Sequence, residues 1–331
     1  MLNFILSDSV LSLRALLFMT GILIAFFATI ILTGVLNYIL PHDAGKALAV
    51  NGQLSKGKPR GAGLIFVLVF VLVTFIFVPY DSELLVYLII IIASMMSGFL
   101  DDASKKPWNE YKKGLIDAVI AFACAFTYVK NNGTGVHLLF SGKSVNLPEW
   151  LYIILAMILI WAAINVVNCT DGVDGLCAML AVAGCLSFIF VFIKGLGACE
   201  PETKKYAQVI MIMTACILGY LWYNAHPSRL LMGDAGSRAI GIFFAILSLK
   251  SGYVLLFIPF CIVFIVDGGI GIIKVSLLRF LKIRILPHTI TPLHDNARKN
   301  RGWSDTQVVI RYFLIQVVVS MAILSLFYFI V

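Results

Sequence analysis

Charge is what this sequence has least of. Only 13% of its 331 residues are Asp, Glu, Lys or Arg, against about 25% in soluble domains, and the mean hydropathy is +0.99. That excludes a soluble globular protein. The strict alternation of a β-barrel strand is also missing, because the apolar runs are continuous. Seven cysteines (124, 169, 177, 185, 199, 216 and 261) contain no CxxC pair, and six fall in or beside apolar runs. This argues against a disulfide or metal framework and for packing. No cleavable leader is expected, since the first strong run follows Arg14 and leads straight into further runs. The net charge of +8 is spread over short loops between apolar runs. That pattern points to topology and anionic-lipid contact, with a bilayer as partner and no nucleic acid.

What the sequence does have is a succession of apolar runs, many near or above the roughly 20 residues that cross a bilayer as helix. Ten spans are expected, at about 16–40, 62–79, 84–100, 115–129, 149–167, 176–193, 207–223, 238–249, 252–280 and 307–331. The eighth is short, and 239–266 would fuse into one span with Lys250 inside it. Charge decides against fusion. With the amino terminus outside, loops 41–61, 100–114, 167–175, 224–238 and 281–306, with Arg279 at the membrane edge, hold sixteen of the 25 Lys and Arg, and the outer segments seven. Fusion would put the basic loop 281–306 outside, against the positive-inside bias. The expected fold is an all-α polytopic membrane protein of about ten transmembrane helices with both termini outside. It forms a single integral-membrane domain over residues 1–331. The ninth span should be bent or broken, because Asp267-Gly-Gly-Ile-Gly271 falls near its middle; Asp267 itself is assigned to packing.

The carboxylates sort by side. Asp43, Asp101, Asp102, Glu110, Asp171, Asp174, Asp234, Asp295 and Asp305 lie in the inner loops, whereas Asp8, Asp81, Glu83, Glu149, Glu200 and Glu202 are outer and have no Gly, Asn or His constellation around them. Five cytoplasmic loops are therefore expected to build one site.

The densest stretch is Asn165-Val-Val-Asn-Cys-Thr-Asp-Gly-Val-Asp-Gly-Leu176. Asn165, Asn168, Asp171 and Asp174 are spaced by three, and each such step on a helix loses about 60° of phase. Four residues cannot then share a face. The asparagines are expected on the last turn of one helix, and the aspartates in the turn that Gly172 and Gly175 permit. A cap between helices would need one polar group; here there are five. In the second loop, Ser97-Gly-Phe-Leu-Asp-Asp-Ala-Ser-Lys105 ends a span on two adjacent aspartates. They repel each other at the negative end of a helix dipole. A divalent cation relieves both, and oxygen-only ligation favours Mg²⁺.

The first loop, Ser55-Lys-Gly-Lys-Pro-Arg-Gly-Ala-Gly63, sets Lys56, Lys58 and Arg60 beside a Gly-rich turn that opens a helix. Helix-start amides with nearby cations suit phosphate, although a basic loop that only sets orientation reads equally well. The fourth loop runs from Leu221-Trp-Tyr-Asn-Ala-His226 to Met232-Gly-Asp-Ala-Gly-Ser-Arg238. There Asp234 lies between glycines that admit a phosphate or metal, or else serves as a helix cap. The fifth, Thr291-Pro-Leu-His-Asp-Asn-Ala-Arg298, places His294 among basic residues.

Taken together, Gly98–Asp102, Asn165–Gly175, Leu221–Asn224, Gly233–Ser237 and Gly302-Trp-Ser-Asp-Thr-Gln-Val-Val-Ile-Arg311 resemble the polyprenyl-phosphate N-acetylhexosamine-1-phosphate transferase superfamily. The last motif is similar to its phospho-N-acetylmuramoyl-pentapeptide transferase branch. The resemblance implies a Mg²⁺-dependent transfer from UDP-MurNAc-pentapeptide to undecaprenyl phosphate, giving lipid I and UMP. It places this on the cytoplasmic face of a bacterial membrane, in a homodimer. It assigns Asp101, Asp102 and Asp234 as catalytic, and Asp234 and Asp102 as metal ligands. Substrate contacts fall to Lys56, Lys58, Asn168, Asp171, Asp174, Asn224, Gly233, Ser237, His294, Asp295 and Asn296. Two departures stand out. A family run of three histidines is here His294-Asp295-Asn296, and a lysine of the fourth span is here Ile120, which removes a cation that would offset the Asp pair. The rivals are a UDP-N-acetylglucosamine transferase of the same superfamily and a ten-span secondary transporter. A transporter would hold its acids near mid-membrane, whereas these cluster in loops on one side.

Overall fold

The structure is a computed structural model that describes residues 11–45, 55–104, 106, 108–138, 143–194 and 203–330. Asp8, Cys199, Glu200 and Glu202 lie outside the described residues. Helical segments stand wherever a span is expected. They are α1 (Leu11–Leu36), α2 (Gly63–Phe77), α3 (Ser82–Asp102), α4 (Glu110–Asn132), α5 (Glu149–Thr170), α6 (Leu176–Ile193), α7 (Thr203–Asn224) and α8 (Gly233–Lys250). A bent pair follows, α9 (Val254–Phe260) and α10 (Ile262–Leu281), then the short α11 (Leu293–Arg301) and α12 (Asp305–Ile330). Among the described residues seven helices are, by length and composition, long and apolar enough to cross a membrane, eight with the bent pair. The shortfall from ten is α2, which is short, and α8, which carries Asp234, Arg238 and Lys250.

Two helices begin about one turn before their apolar runs. α4 starts at Glu110 because Asn109 caps it, its Oδ1 accepting from the Lys112 amide at 2.7 Å. α8 starts at Gly233, so Asp234 and Arg238 are helical. Charge ends a hydropathy trace without ending a helix. At the other end α8 stops at Lys250 and the chain turns at Gly252, φ +73°, so α8 and α9 are separate segments.

The bundle is built around α8. Every residue of it except Asp234 is buried, as expected of a helix apolar on all sides. Glycine sets how closely its neighbours come. A Cβ on Gly63 would lie 2.0 Å from the Gly236 nitrogen, and one on Gly241 would lie 2.6 Å from the Ile164 Cα. Cys124, Cys177, Cys185, Cys216 and Cys261 are buried thiols, in keeping with packing.

The bend lies earlier than the glycines suggest. α9 and α10 meet at 72° around Cys261, whereas Ile265–Gly269 is a wider π turn within a continuing helix. Pro259 has no amide to donate, so it weakens the turn before the break. The groups freed at the break are met from α12. Gln316, fully buried, accepts from the Val263 amide at 3.1 Å and donates to the Pro259 carbonyl at 2.9 Å. Backbone at membrane depth requires such partners. Gly268 has another use: a Cβ there would lie 2.5 Å from the Val166 carbonyl oxygen, so it lets α10 lie against α5. At the end of α4 far from Lys113, a two-stranded hairpin pairs Gly135–His137 with Ser144–Asn146.

Candidate active site

Asp101 and Asp102 close α3, and Asp234 opens α8. Gly98 brings them together, since a Cβ there would fall 2.3 Å from the Asp234 carbonyl oxygen. Gly233, at φ +72°, leaves room for the Asp102 carboxylate, whose Oδ2 would sit 2.3 Å from a Cβ. The space beside this glycine is thus filled by a carboxylate of the protein. Arg60 is the hub. Its Nε donates to Asp102 Oδ1 at 2.8 Å, Nη2 to Asp234 Oδ1 at 3.1 Å and Nη1 to Asp43 Oδ2 at 3.5 Å. Lys113 pairs with Asp101 and reaches Asp234 Oδ2 at 3.6 Å. Burial opposes the Arg60 charge, but Asp102, Asp234, Asp43 and Asp171 outweigh it and hold the guanidinium above its ordinary value. Arg60 is therefore a permanent cation.

The Asp pair thus already has protein cations beside it. Ile120 is buried, as a lysine there would not easily be, and Lys113 stands two turns earlier on the same helix. The positive charge expected to be missing at Ile120 is supplied beside the carboxylates by Arg60 and Lys113.

The first loop differs from its expected role. The α2 amides are already donated: Ala62 to the Leu231 carbonyl and Gly63 to the Met232 carbonyl, each at 3.1 Å. They serve chain pairing, and the phosphate-binding capacity left in this loop is cationic. Lys58 donates to Ser228 Oγ at 2.9 Å and lies 3.7 Å from Asp174; Lys56 is exposed.

In the third loop Asn165 and Asn168 ride the last turns of α5, and Asp171 to Gly175 form the turn. Asn168 donates to Ser237 Oγ at 2.9 Å. Asp174 Oδ2 accepts from the Ser228 amide at 2.9 Å and lies 3.4 Å from His226 Nδ1. Asn224 is buried with both ends of its amide engaged. It accepts from the Gly175 amide at 2.9 Å and donates to the Leu230 carbonyl at 3.0 Å. In this structure it holds loops rather than facing open space.

The fifth loop is fixed from within the bundle. His294, buried, takes both oxygens of Asp267: its amide donates to Oδ1 at 2.7 Å and its Nδ1 faces Oδ2 at 2.8 Å. Asp267 therefore orients a histidine, which corrects its assignment to packing. The ring covers Gly172, where a Cβ would lie 2.4 Å from Nε2. Asp295 pairs with Arg298, which also donates to the Gly172 carbonyl at 3.2 Å and to Asp305 at 3.3 Å. Asn296 accepts from the Ile290 amide at 3.2 Å. Behind His294 a mainly apolar cavity of about 480 Å³ runs between α10, α11 and α12, lined among others by Val266, Asp267, Ile315 and Val319.

Contacts thus join all five polar loops at one end of the bundle. Among the described residues no group of three or more His, Cys, Asp or Glu is placed to hold a metal ion. Mg²⁺, however, is commonly held by one or two carboxylates and completes its shell with water and substrate phosphate. Asp102 and Asp234 aim oxygens at one shared guanidinium, so this hard-oxygen pair fits such a site.

Sequence reasoning passed over Arg60 as the hub, Lys113, Asp43 and Asp267. An acid inside an apolar span was the available signal for Asp267. For the others only the folded contacts tell, since Arg60 lies 42 positions from Asp102 and 174 from Asp234.

The model of glycosyl transferase family 4 matches residues 84–252, just over half of the chain. A phospho-N-acetylmuramoyl-pentapeptide-transferase of Treponema pallidum (strain Nichols) is 36% identical over 302 residues, covering 87% of this chain and 83% of its own. Proteins of the same name from Dictyoglomus thermophilum and Halalkalibacterium halodurans are each 26% identical, covering 92% and 91% of this chain and 96% and 94% of their own. With its motifs, bundle and carboxylate cluster in agreement, the chain belongs to glycosyl transferase family 4, on the phospho-N-acetylmuramoyl-pentapeptide-transferase branch.

Proposed function

We propose that the protein transfers phospho-MurNAc-pentapeptide from UDP-MurNAc-pentapeptide to undecaprenyl phosphate, giving lipid I and UMP, as a step of peptidoglycan synthesis. The observation that carries this is the meeting of Asp101, Asp102 and Asp234 with Arg60 and Lys113. Phosphoryl transfer asks mainly for positioned charge, and this cluster offers it. The name printed for the relatives supplies the substrate.

In this scheme Asp102 and Asp234 would hold Mg²⁺, which when bound neutralises charge on the pyrophosphate. Arg60 and Lys113 grip pyrophosphate oxygens in exchange for some of their carboxylate contacts. The lipid phosphate then attacks the sugar-linked phosphorus in line. Its second pKa is about 6, so it is mostly dianionic at neutral pH and needs no strong base. Asp101, near Lys113, is assigned removal of any residual proton. Lys56, Lys58, Asn168, Asp171, Asp174, Gly233, Ser237, His294, Asp295 and Asn296 form the substrate-binding wall, with Asn224 holding its loops. The cavity beside Asp267, open among apolar side chains, suits the lipid tail.

The whole chain acts as one domain in the bacterial plasma membrane, with the site cytoplasmic and both termini outside; the Lys and Arg bias supports this orientation. The homodimer rests on the family resemblance, and the mass of the detergent-solubilised particle tests it. The central experiment is UMP release by purified protein given Mg²⁺ and both substrates. Release abolished by chelator supports the reading. Release from UDP-N-acetylglucosamine instead would move the protein to the sister branch, and substrate uptake into sealed vesicles without UMP would make it a transporter. Exchange of labelled UMP into substrate by lipid-free enzyme would show a covalent two-step route in place of direct attack.

A further inference from the structure

Beneath the carboxylate cluster lies a second polar layer that the reaction scheme leaves unused. Three helices each contribute to both layers. α4 places Lys113 in the first and Asp117 one turn deeper; α8 places Asp234 and then Arg238. α5, which approaches from the other direction, places Asn168 and then Asn165. Spacings of four, four and three each advance one helical turn. Arg238 pairs with Asp117, and both are buried, at 5% and 2% exposure. Asn165, whose amide donates to the Trp161 carbonyl at 2.8 Å, acts on the same aspartate, as Asn168, which donates to Ser237 Oγ at 2.9 Å, acts on Asp234. The charge order reverses between layers, cation then anion on α4 and anion then cation on α8.

Stability alone gives little reason for such a pair. Apolar residues of similar volume replace a buried ion pair with neutral or favourable effect, and ionisable groups at membrane depth are functional by default. The Arg238 Nε is moreover buried with no partner among the described residues, an exception that calls for an explanation. What the layer does do is tie α4 to α8 through Arg238 and Asp117, with Asn165 of α5 close enough to act on that aspartate, one turn behind Lys113, Asn168 and Asp234. The Arg238 charge also acts on Asp234 itself.

We propose that Asp117, Arg238 and Asn165 are positioning residues for the transfer reaction, fixing the relative placement of Lys113 and Asp234 during the chemical step. This inference rests on the reading of Asp234 as catalytic. It predicts a specific split in kinetics. The test compares wild-type protein with Asp117→Leu/Arg238→Met, Arg238→Lys and Asn165→Leu, measuring thermal unfolding together with kcat and KM for UDP-MurNAc-pentapeptide. The double variant should fold and unfold at or above the wild-type temperature. Its kcat should fall about 10- to 100-fold, the scale of a misplacement near 1 Å, with KM nearly unchanged. Arg238→Lys, which keeps the charge beside Asp117, should recover most of that loss.

A stable double variant with wild-type kcat overturns the proposal, as does a rise in KM at constant kcat. Should the double variant not fold, Asn165→Leu decides, because it leaves the ion pair in place: a several-fold lower kcat at constant KM supports the layer, and an unchanged kcat overturns it. Wild-type protein that releases no UMP from this substrate defeats only the parent reading; the same variants are then compared on UDP-N-acetylglucosamine.

Discussion

The two ends of α8 hold much the same kinds of side chain and treat them in opposite ways. At its C-terminal end Lys250, with no exposed side-chain surface, donates to Glu83 Oε2 at 2.9 Å and to Asn132 Oδ1 at 2.7 Å. Glu83 Oε1 accepts from Asn132 at 2.6 Å and from the Tyr87 hydroxyl at 2.8 Å. Each carboxylate oxygen has donors, and both members of the ion pair, Glu83 and Lys250, are buried. At the N-terminal end one guanidinium and one ammonium are spread over Asp43, Asp101, Asp102 and Asp234, with the Arg60 and Lys113 side chains 21% and 29% exposed. The closed end has nothing left to exchange. The open end has more carboxylates than cations and an approach from solvent, which is what a site for an anionic substrate and a metal requires. The contrast also shows that Glu83, an acid expected on the outer side without polar company, has a full polar constellation around it, with partners 49 and 167 positions away in sequence.

Substitution should separate the two ends. The largest effect is expected from Asp234→Asn, a loss of UMP release of about 10³-fold or more with little change in unfolding temperature. Lys250→Met should do the reverse. It leaves the Glu83 carboxylate buried and unpaired, at roughly 3–5 kcal/mol of stability, while activity per folded molecule stays near wild type. Arg60→Gln comes next, with kcat/KM about 10²-fold lower and a loss of stability as well, because Asp102, whose side chain is 1% exposed, loses its nearest cation. If Arg60→Gln instead unfolds the protein and Lys250→Met abolishes turnover in folded protein, the comparison is wrong in kind. Gln316→Leu should destabilise by about 2–4 kcal/mol, since two backbone groups lose their partner. The smallest effect is Lys56→Ala, an exposed rim cation whose removal should change KM by no more than a few-fold.

The helices were legible because a bilayer leaves the chain little choice, and continuous apolar runs with charged interruptions mark them directly. The Asn165–Gly175 junction was legible too, since period-three polar spacing cannot persist on one helical face. The pairing was not. Nothing near Pro59 or Gly61 says that Arg60 will meet three carboxylates, and the Leu231 and Met232 carbonyls that occupy the α2 amides lie in another loop. The bend was misplaced by several residues because glycine marks both flexibility and close approach. At Gly268 the second use prevails, since the backbone of α5 takes the space.

Gln316 has a consequence for how the protein is made. The bend between α9 and α10 enters the membrane with its Val263 amide and Pro259 carbonyl unanswered, and the side chain that answers them lies 53 positions beyond Val263. During synthesis the bent pair is therefore an incomplete object, held open until α12 is inserted. A nascent chain arrested after α11 would present that bend unfinished to chaperones and membrane proteases.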